Sequence, residues 1–315
     1  MAAETTNISH PVLNPSTRIG KEQVTVTTPN QLALRRFRRN KLAMVGCALV
    51  GFWVFIFITA DVLAPFGPNE QTSELNKPPF SVVTEEGPFM GRTHILGTDN
   101  LGRDMLTRIM HGARVSLSVG FIAQSVVILI GVPLGLMAGY FGGIADQFIM
   151  RFGEVMNSFP DLLLLITLAN VFEQRSVWAV FLVLGVTGWV TMSRVVRAQV
   201  LQIKQMDYVT GARSIGARPG WLMRRHILPN ITGPIIVLVT LGIPGAILAE
   251  ATLTFLGVGV DPSTVTWGTM VENARQGIFS YPGQILMPAL AIASLALGMT
   301  FIGDGVRDAL DPKSK

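Results

Sequence analysis

The chain alternates long apolar runs with short polar segments, and the runs have the length of membrane crossings. Residues 42–60 form a 19-residue apolar run, which as a helix covers about 30 Å of hydrocarbon. Charge-free stretches at 115–145, 176–193, 226–249 and 276–303 mark four further spans. Residues 147–172, QFIMRFGEVMNSFPDLLLLITLANVF, are ambiguous, because Arg151, Glu154 and Asp161 leave an apolar core of only 11 residues.

Charge in the loops resolves that segment. RRFRRNK at 35–41 carries five positive charges, and residues 194–225 carry seven Lys or Arg against one acid, Asp207. Basic residues near span ends stay on the cytoplasmic side, so both segments belong there and an even number of crossings separates them. Counting 147–172 as a crossing satisfies that parity. Segment 61–114, with seven acidic and five basic residues, falls on the external side. The expected fold class is an all-α polytopic membrane protein with six spans, at about 42–62, 115–141, 147–172, 176–196, 231–256 and 284–303, and both termini cytoplasmic. Residues 1–34 are polar, rich in Thr, Pro and Asn, and are expected to be a disordered cytoplasmic tail ahead of a membrane domain at 35–315.

Composition agrees with this pattern. The chain is 49% hydrophobic and 14% charged, with a mean hydropathy of +0.46, against about 25% charged in soluble domains. A net charge of +5 therefore reads as basic cytoplasmic loops, and nucleic acid is not an expected partner. Cys47 is the single cysteine, so no intrachain disulfide forms. Glycine-rich stretches such as GVPLGLMAGYFGG at 131–143 predict close helix packing.

Several chemistries are excluded. No G-x-x-x-x-G-K-[ST] loop is present to cradle phosphates, so energy must come from a partner or a gradient. His10, His94, His111 and His226 lack zinc-site spacing, and no metal or catalytic residue set is expected. Glu154 and Glu250 are acids within spans, candidates for the translocation pathway, for gating or for structural hydrogen bonding, since burying an ionisable group is costly.

Residues 200–228, VLQIKQMDYVTGARSIGARPGWLMRRHIL, cannot span a membrane. They predict a short helix capped by Asp207 or Thr210, ended by Gly216, and followed by a second helix with Pro219 in its first turn. A rigid knob of this kind suits docking into a partner's groove, or lies among lipid headgroups through Arg218, Arg224 and Arg225. On the external side, GTDNLGRDMLTRIMHGARVSL at 97–117 predicts a helix capped by Thr98 or Asp99, with Asp104 and Arg108 as an i, i+4 pair. It reads either as a stabilised helix entering the second span or as a docking surface using Asp99, Arg103 and Asp104, with Trp267 from the other external loop.

These motifs carry a resemblance. Thr210-Gly211-Ala212, Gly216 and His226-Ile227-Leu228-Pro229 keep the spacing of the cytoplasmic loop motif E-A-A, three residues, Gly, nine residues, Ile-x-Leu-Pro. YVTGARSIGA at 208–217, RHILPN at 225–230, FLGVGVDPSTVTWGTM at 255–270 and GDGVRDALDPK at 303–313 resemble the dipeptide, oligopeptide and nickel branch of permease subunits in binding-protein-dependent ABC transporters. The resemblance implies a type I importer permease in a bacterial inner membrane. Its partners are a similar second permease, two cytoplasmic ATPases that hold ATP-Mg, an external solute-binding protein and membrane lipid, and the chain itself holds no cofactor. It also implies an ATPase-coupling loop built from Tyr208, Thr210, Gly211, Ala212, Arg213, Gly216, Ala217, Leu228 and Pro229. Di- or oligopeptides are the expected cargo, with nickel, glutathione or an opine- or sugar-like solute as alternatives. A gradient-driven transporter is the other class, and it would require an inverted repeat with paired buried acids, which is not evident here.

Overall fold

In the computed structural model, residues 29–84, 87–171 and 176–310 are described. Five helices are long and apolar enough to cross a membrane: α2 (Lys41–Leu63), α3 (Met105–Phe141), α6 (Val177–Ile203), α9 (Leu228–Phe255, continuous with the turns that begin at Pro219) and α11 (Pro282–Leu310). A sixth crossing is supplied if the bent pair α4 (Gly143–Asn157) and α5 (Asp161–Val171) is one span, its halves meeting at 94°. Pro160 stands at that break. Proline has no N–H and pushes the preceding residue out of the helical region, so the crossing that hydropathy left ambiguous is also the one that is broken. Its expected last residue, Phe172, lies outside the described residues.

Expected boundaries are corrected in four elements. Helix α1 (Pro29–Arg39) includes residues 29–34, which were expected in the disordered tail. Its Phe37 packs beside Gly305 of α11, a tertiary contact invisible to local composition. Helix α3 begins at Met105 rather than near 115, and its 37 residues rise about 55 Å, well beyond the hydrocarbon. Asp104 is its N-cap, accepting from the Thr107 N–H at 2.7 Å. The fourth span continues to Ile203 and the sixth runs Pro282–Leu310, because polar residues extend both helices past their apolar cores. A two-stranded antiparallel pair, β1 (Ser81–Val82) and β2 (Thr93–His94), adds a little β structure outside the bundle.

Glycine spacing explains the tightest packing. Gly131, Gly135 and Gly139 recur every fourth residue along α3 and face α6. A Cβ at Gly135 would lie 2.7 Å from the Val196 Cβ and from the Ser193 carbonyl oxygen, so only glycine permits this approach. Gly46 of α2 meets the backbone of Gly298 in α11 in the same way, at 2.6 Å.

Candidate functional site

The knob between α6 and α9 is built as a foot and a face. Helix α7 (Asp207–Ser214) ends in a Schellman arrangement, in which the Gly216 N–H donates to the Arg213 carbonyl at 3.0 Å and the Ala217 N–H to the Ala212 carbonyl at 3.1 Å. Gly216 takes φ +87°, the left-handed region that glycine enters without steric cost. Helix α8 (Pro219–Leu222) follows with Pro219 at its first position, then passes through a π-helical turn at Met223–Ile227 into α9. The expected side-chain cap is corrected. Met206 occupies the N-cap without a side-chain bond, Asp207 lies in the first turn, where it favours the helix dipole, and the Thr210 hydroxyl donates to the Asp207 carbonyl at 3.0 Å.

Val209 is the foot, fully buried with Val200, Leu222, Ile227 and Ile231. Ala212, Ala217 and Leu228 pack around that cluster. Thr210, Gly211, Arg213 and Gly216 are exposed, as are Tyr208 and Pro229. Ile215 is 87% exposed and Trp221 52%, so the knob presents bare apolar side chains on a rigidly seated helix pair. The Arg213 guanidinium lies 5.9 Å from the Tyr140 ring centroid, which ties α7 back to α3.

The motif at 97–117 is organised in the opposite sense. Asp99, Arg103 and Asp104 are buried, and Trp267 is completely so. Their side chains serve the fold, and none presents the exposed docking contact that the sequence allowed. Asp99 accepts from the backbone of Leu101 and Arg103 and from the Arg103 Nε at 2.6 Å. Asp104 caps α3 and contacts His94 Nδ1 at 2.9 Å, beneath the stacked Phe66 ring. The expected Asp104–Arg108 pair is not formed. Arg108 instead donates to the Pro68 carbonyl at 2.9 Å and to Asn69 Oδ1 at 3.0 Å, because the folded loop offers these acceptors at the helix entrance. Nearby, the Thr84 hydroxyl and then Lys77 hold the Glu74 carboxyl well below its ordinary range, at about 2.

Trp267 opens helix α10 (Trp267–Ala274), and a Thr266–Thr269 capping box fixes that start. Its indole N–H donates to the Ile109 carbonyl at 3.0 Å, and its ring meets Trp53 edge-on at 4.7 Å. Gly112 leaves room for it, since a Cβ there would lie 2.9 Å from the indole. Glu250 accepts from Thr266 at 3.0 Å and from Thr254 at 3.1 Å, joining α9 to the α10 cap. Glu154 lies on α4 facing outward, paired with Arg151 at 3.3 Å.

A cavity of about 400 Å³ lies among α3, α4, α5, α6 and α9. Neither Glu154 nor Glu250 lines it, whereas Gln124, Asn157, Asp161, Thr187 and Thr191 do. These residues form no sequence motif, since they come from four separate helices. The one available signal was Asp161 beside Pro160, a charge at a helix break within a span. Among the described residues no group of three or more His, Cys, Asp or Glu side chains is placed to hold a metal.

Comparison with known proteins identifies the family. Residues 131–315 match the model of the binding-protein-dependent transport system inner membrane component, and residues 28–79 match the N-terminal transmembrane domain of oligopeptide transport permease C. The chain is 38% identical over 283 residues to the oligopeptide transport system permease protein OppC of Bacillus subtilis (strain 168), covering 89% of this chain and 88% of that one. It is 40% identical to the dipeptide transport system permease protein DppC of the same strain, covering 90% and 85%. A chain of the MetNI methionine ABC transporter, solved in inward-facing conformations, superposes with a TM-score of 0.54 at 19% identity, over 66% of this chain and 98% of that one, which shows a shared fold. On these matches the chain belongs to the family of binding-protein-dependent transport system inner membrane components, the permease subunits of ABC importers.

Proposed function

We propose that this chain forms half of the inner-membrane pathway of an ATP-driven importer for di- and oligopeptides. In that reading a second permease completes the pathway, two cytoplasmic ATPases bind ATP-Mg and perform all hydrolysis, and an external binding protein delivers the cargo. Both termini and the α7–α8 knob then face the cytoplasm. The observation that carries the reading is the knob itself, whose apolar foot at Val209 is locked in the bundle while Ile215 and Trp221 stand bare. Closure of an ATPase pair can favour one permease conformation only through contacts that differ between states, and a rigidly seated helix transmits such displacement. Peptide cargo is supported by the names of the relatives, which are oligopeptide and dipeptide transport permeases.

Uptake in a strain lacking the whole transporter, restored with and without this chain, tests the proposal. Di- and oligopeptide uptake that requires both this chain and ATP-hydrolysing partners is the expected result. Uptake restricted to nickel or glutathione would replace the cargo, and uptake that survives inactive ATPases would replace the energy source. Ile215→Asp should abolish copurification of the ATPases with the solubilised permease without lowering its yield.

A further inference from the structure

The cavity among α3, α4, α5, α6 and α9 has two chemically different walls. On α9 it is lined by Gly242, Gly245, Ala246 and Ala249, all small. Opposite stand the amides of Gln124 and Asn157 and the carboxyl of Asp161. Gln124 lies directly over Gly242, where a Cβ would come within 2.7 Å of the amide, so the small wall is what lets the amide reach across. A volume of about 400 Å³ falls in the range of roughly 300–1,000 Å³ usual for small-ligand sites.

Charge in this cavity is one-sided. Asp161 is exposed at the first position of the 11-residue α5 and has no cationic partner among the described residues. Of the arginines on α4 and α6, Arg197 pairs with Asp146, Arg151 pairs with Glu154 and Arg194 is exposed, and none of the three lines the cavity. A carboxyl with no cationic partner among the described residues, lining a space of this size inside a membrane protein, favours a cationic occupant.

We propose that Asp161 is a specificity-determining residue that receives the cargo's ammonium group during passage, with Asn157 and Gln124 hydrogen-bonding its amide backbone. The small α9 wall leaves the cargo's side chains unread, so the site selects for a free amino group rather than for sequence. This assignment rests on the peptide reading given above. Its chemistry is binding only, and no bond of the cargo is made or broken.

The assembled transporter in proteoliposomes, with its loaded binding protein, tests the assignment using one dipeptide and its N-acetyl derivative. The variant-to-wild-type rate ratio for each cargo cancels the binding protein's own preference. Asp161→Asn should lower transport of the free-amine peptide about tenfold while leaving the slower N-acetyl transport unchanged, and Asp161→Glu should recover most of the loss. Equal loss for both cargos, or no loss for either, overturns the assignment and leaves the peptide reading standing. Wild-type protein that transports neither peptide overturns both.

Discussion

The α7–α8 knob and the external loop that enters α3 are written in similar residues, glycine, arginine, aspartate and threonine, yet they are used in opposite ways. In the knob the apolar residues of the foot are buried and the polar residues are left outside with Ile215 and Trp221. In the loop entering α3 the charged residues themselves are buried, Asp99 with Arg103, Asp104 with His94 and the helix start, and Arg108 with the Pro68 carbonyl and Asn69. A polar motif in a permease is therefore not by itself a contact surface. Burial of its charges marks a scaffold, since ionised groups leave water only when they are paired or hydrogen-bonded.

The comparison predicts that damage to the external cap costs stability, whereas damage to the knob costs coupling. The largest effect is expected for Trp267→Ala, which empties the space against Trp53 and Gly112 and should destabilise by about 3–5 kcal/mol. Thermal unfolding in detergent would show it, and an unchanged midpoint would remove Trp267 from the core of the argument. Asp99→Ala leaves Arg103 without its buried partner and should cost about 3 kcal/mol, again read as lost yield and midpoint. If it instead preserved stability and abolished only binding-protein docking, the external loop would be a surface after all.

Gly216→Val forces a β-branched residue into the left-handed region at a local cost of about 1–2 kcal/mol. No atom outside the adjacent chain lies within 4 Å of the added Cβ, so the bundle should stay folded. Stimulated ATP hydrolysis should then continue while transport falls, and normal transport would sink the coupling role of this turn. The smallest effect concerns acid. Glu74 is held down to about 2 from an ordinary value of 4.5, so its stabilising contribution is complete above pH 4.5 and is lost as pH falls toward 2. Hydrogen-exchange protection of the Thr84 amide, which donates to Glu74, should hold between pH 7 and 4.5 and decline below that. A decline beginning at neutral pH would contradict the pairing.

Much of the fold is legible along the chain because membrane helices announce themselves locally. An apolar run of adequate length, the glycine repeat 131–135–139 and the end of α7 at Gly216 each depend on neighbours within a few turns. The Asp104–Arg108 spacing misled for the same reason. Helical periodicity placed the two side chains on one face, while Pro68, Asn69 and His94, up to 40 residues away in the chain, offered better partners. Residues 29–34 joined a helix because Phe37 finds Gly305, a contact no local window contains.

By itself, then, the sequence determined the apolar crossings, the helical class and the position of the turn at Gly216, which follow from period, length and spacing, while the family came from the resemblance of its motifs. Only the tertiary structure decided that Trp267 and Asp99 face inward, that Glu250 joins α9 to α10, and that Asp161 lines a cavity assembled from several helices. Those outcomes depend on which surfaces meet, and burial and charge compensation are properties of the packed bundle rather than of any segment within it.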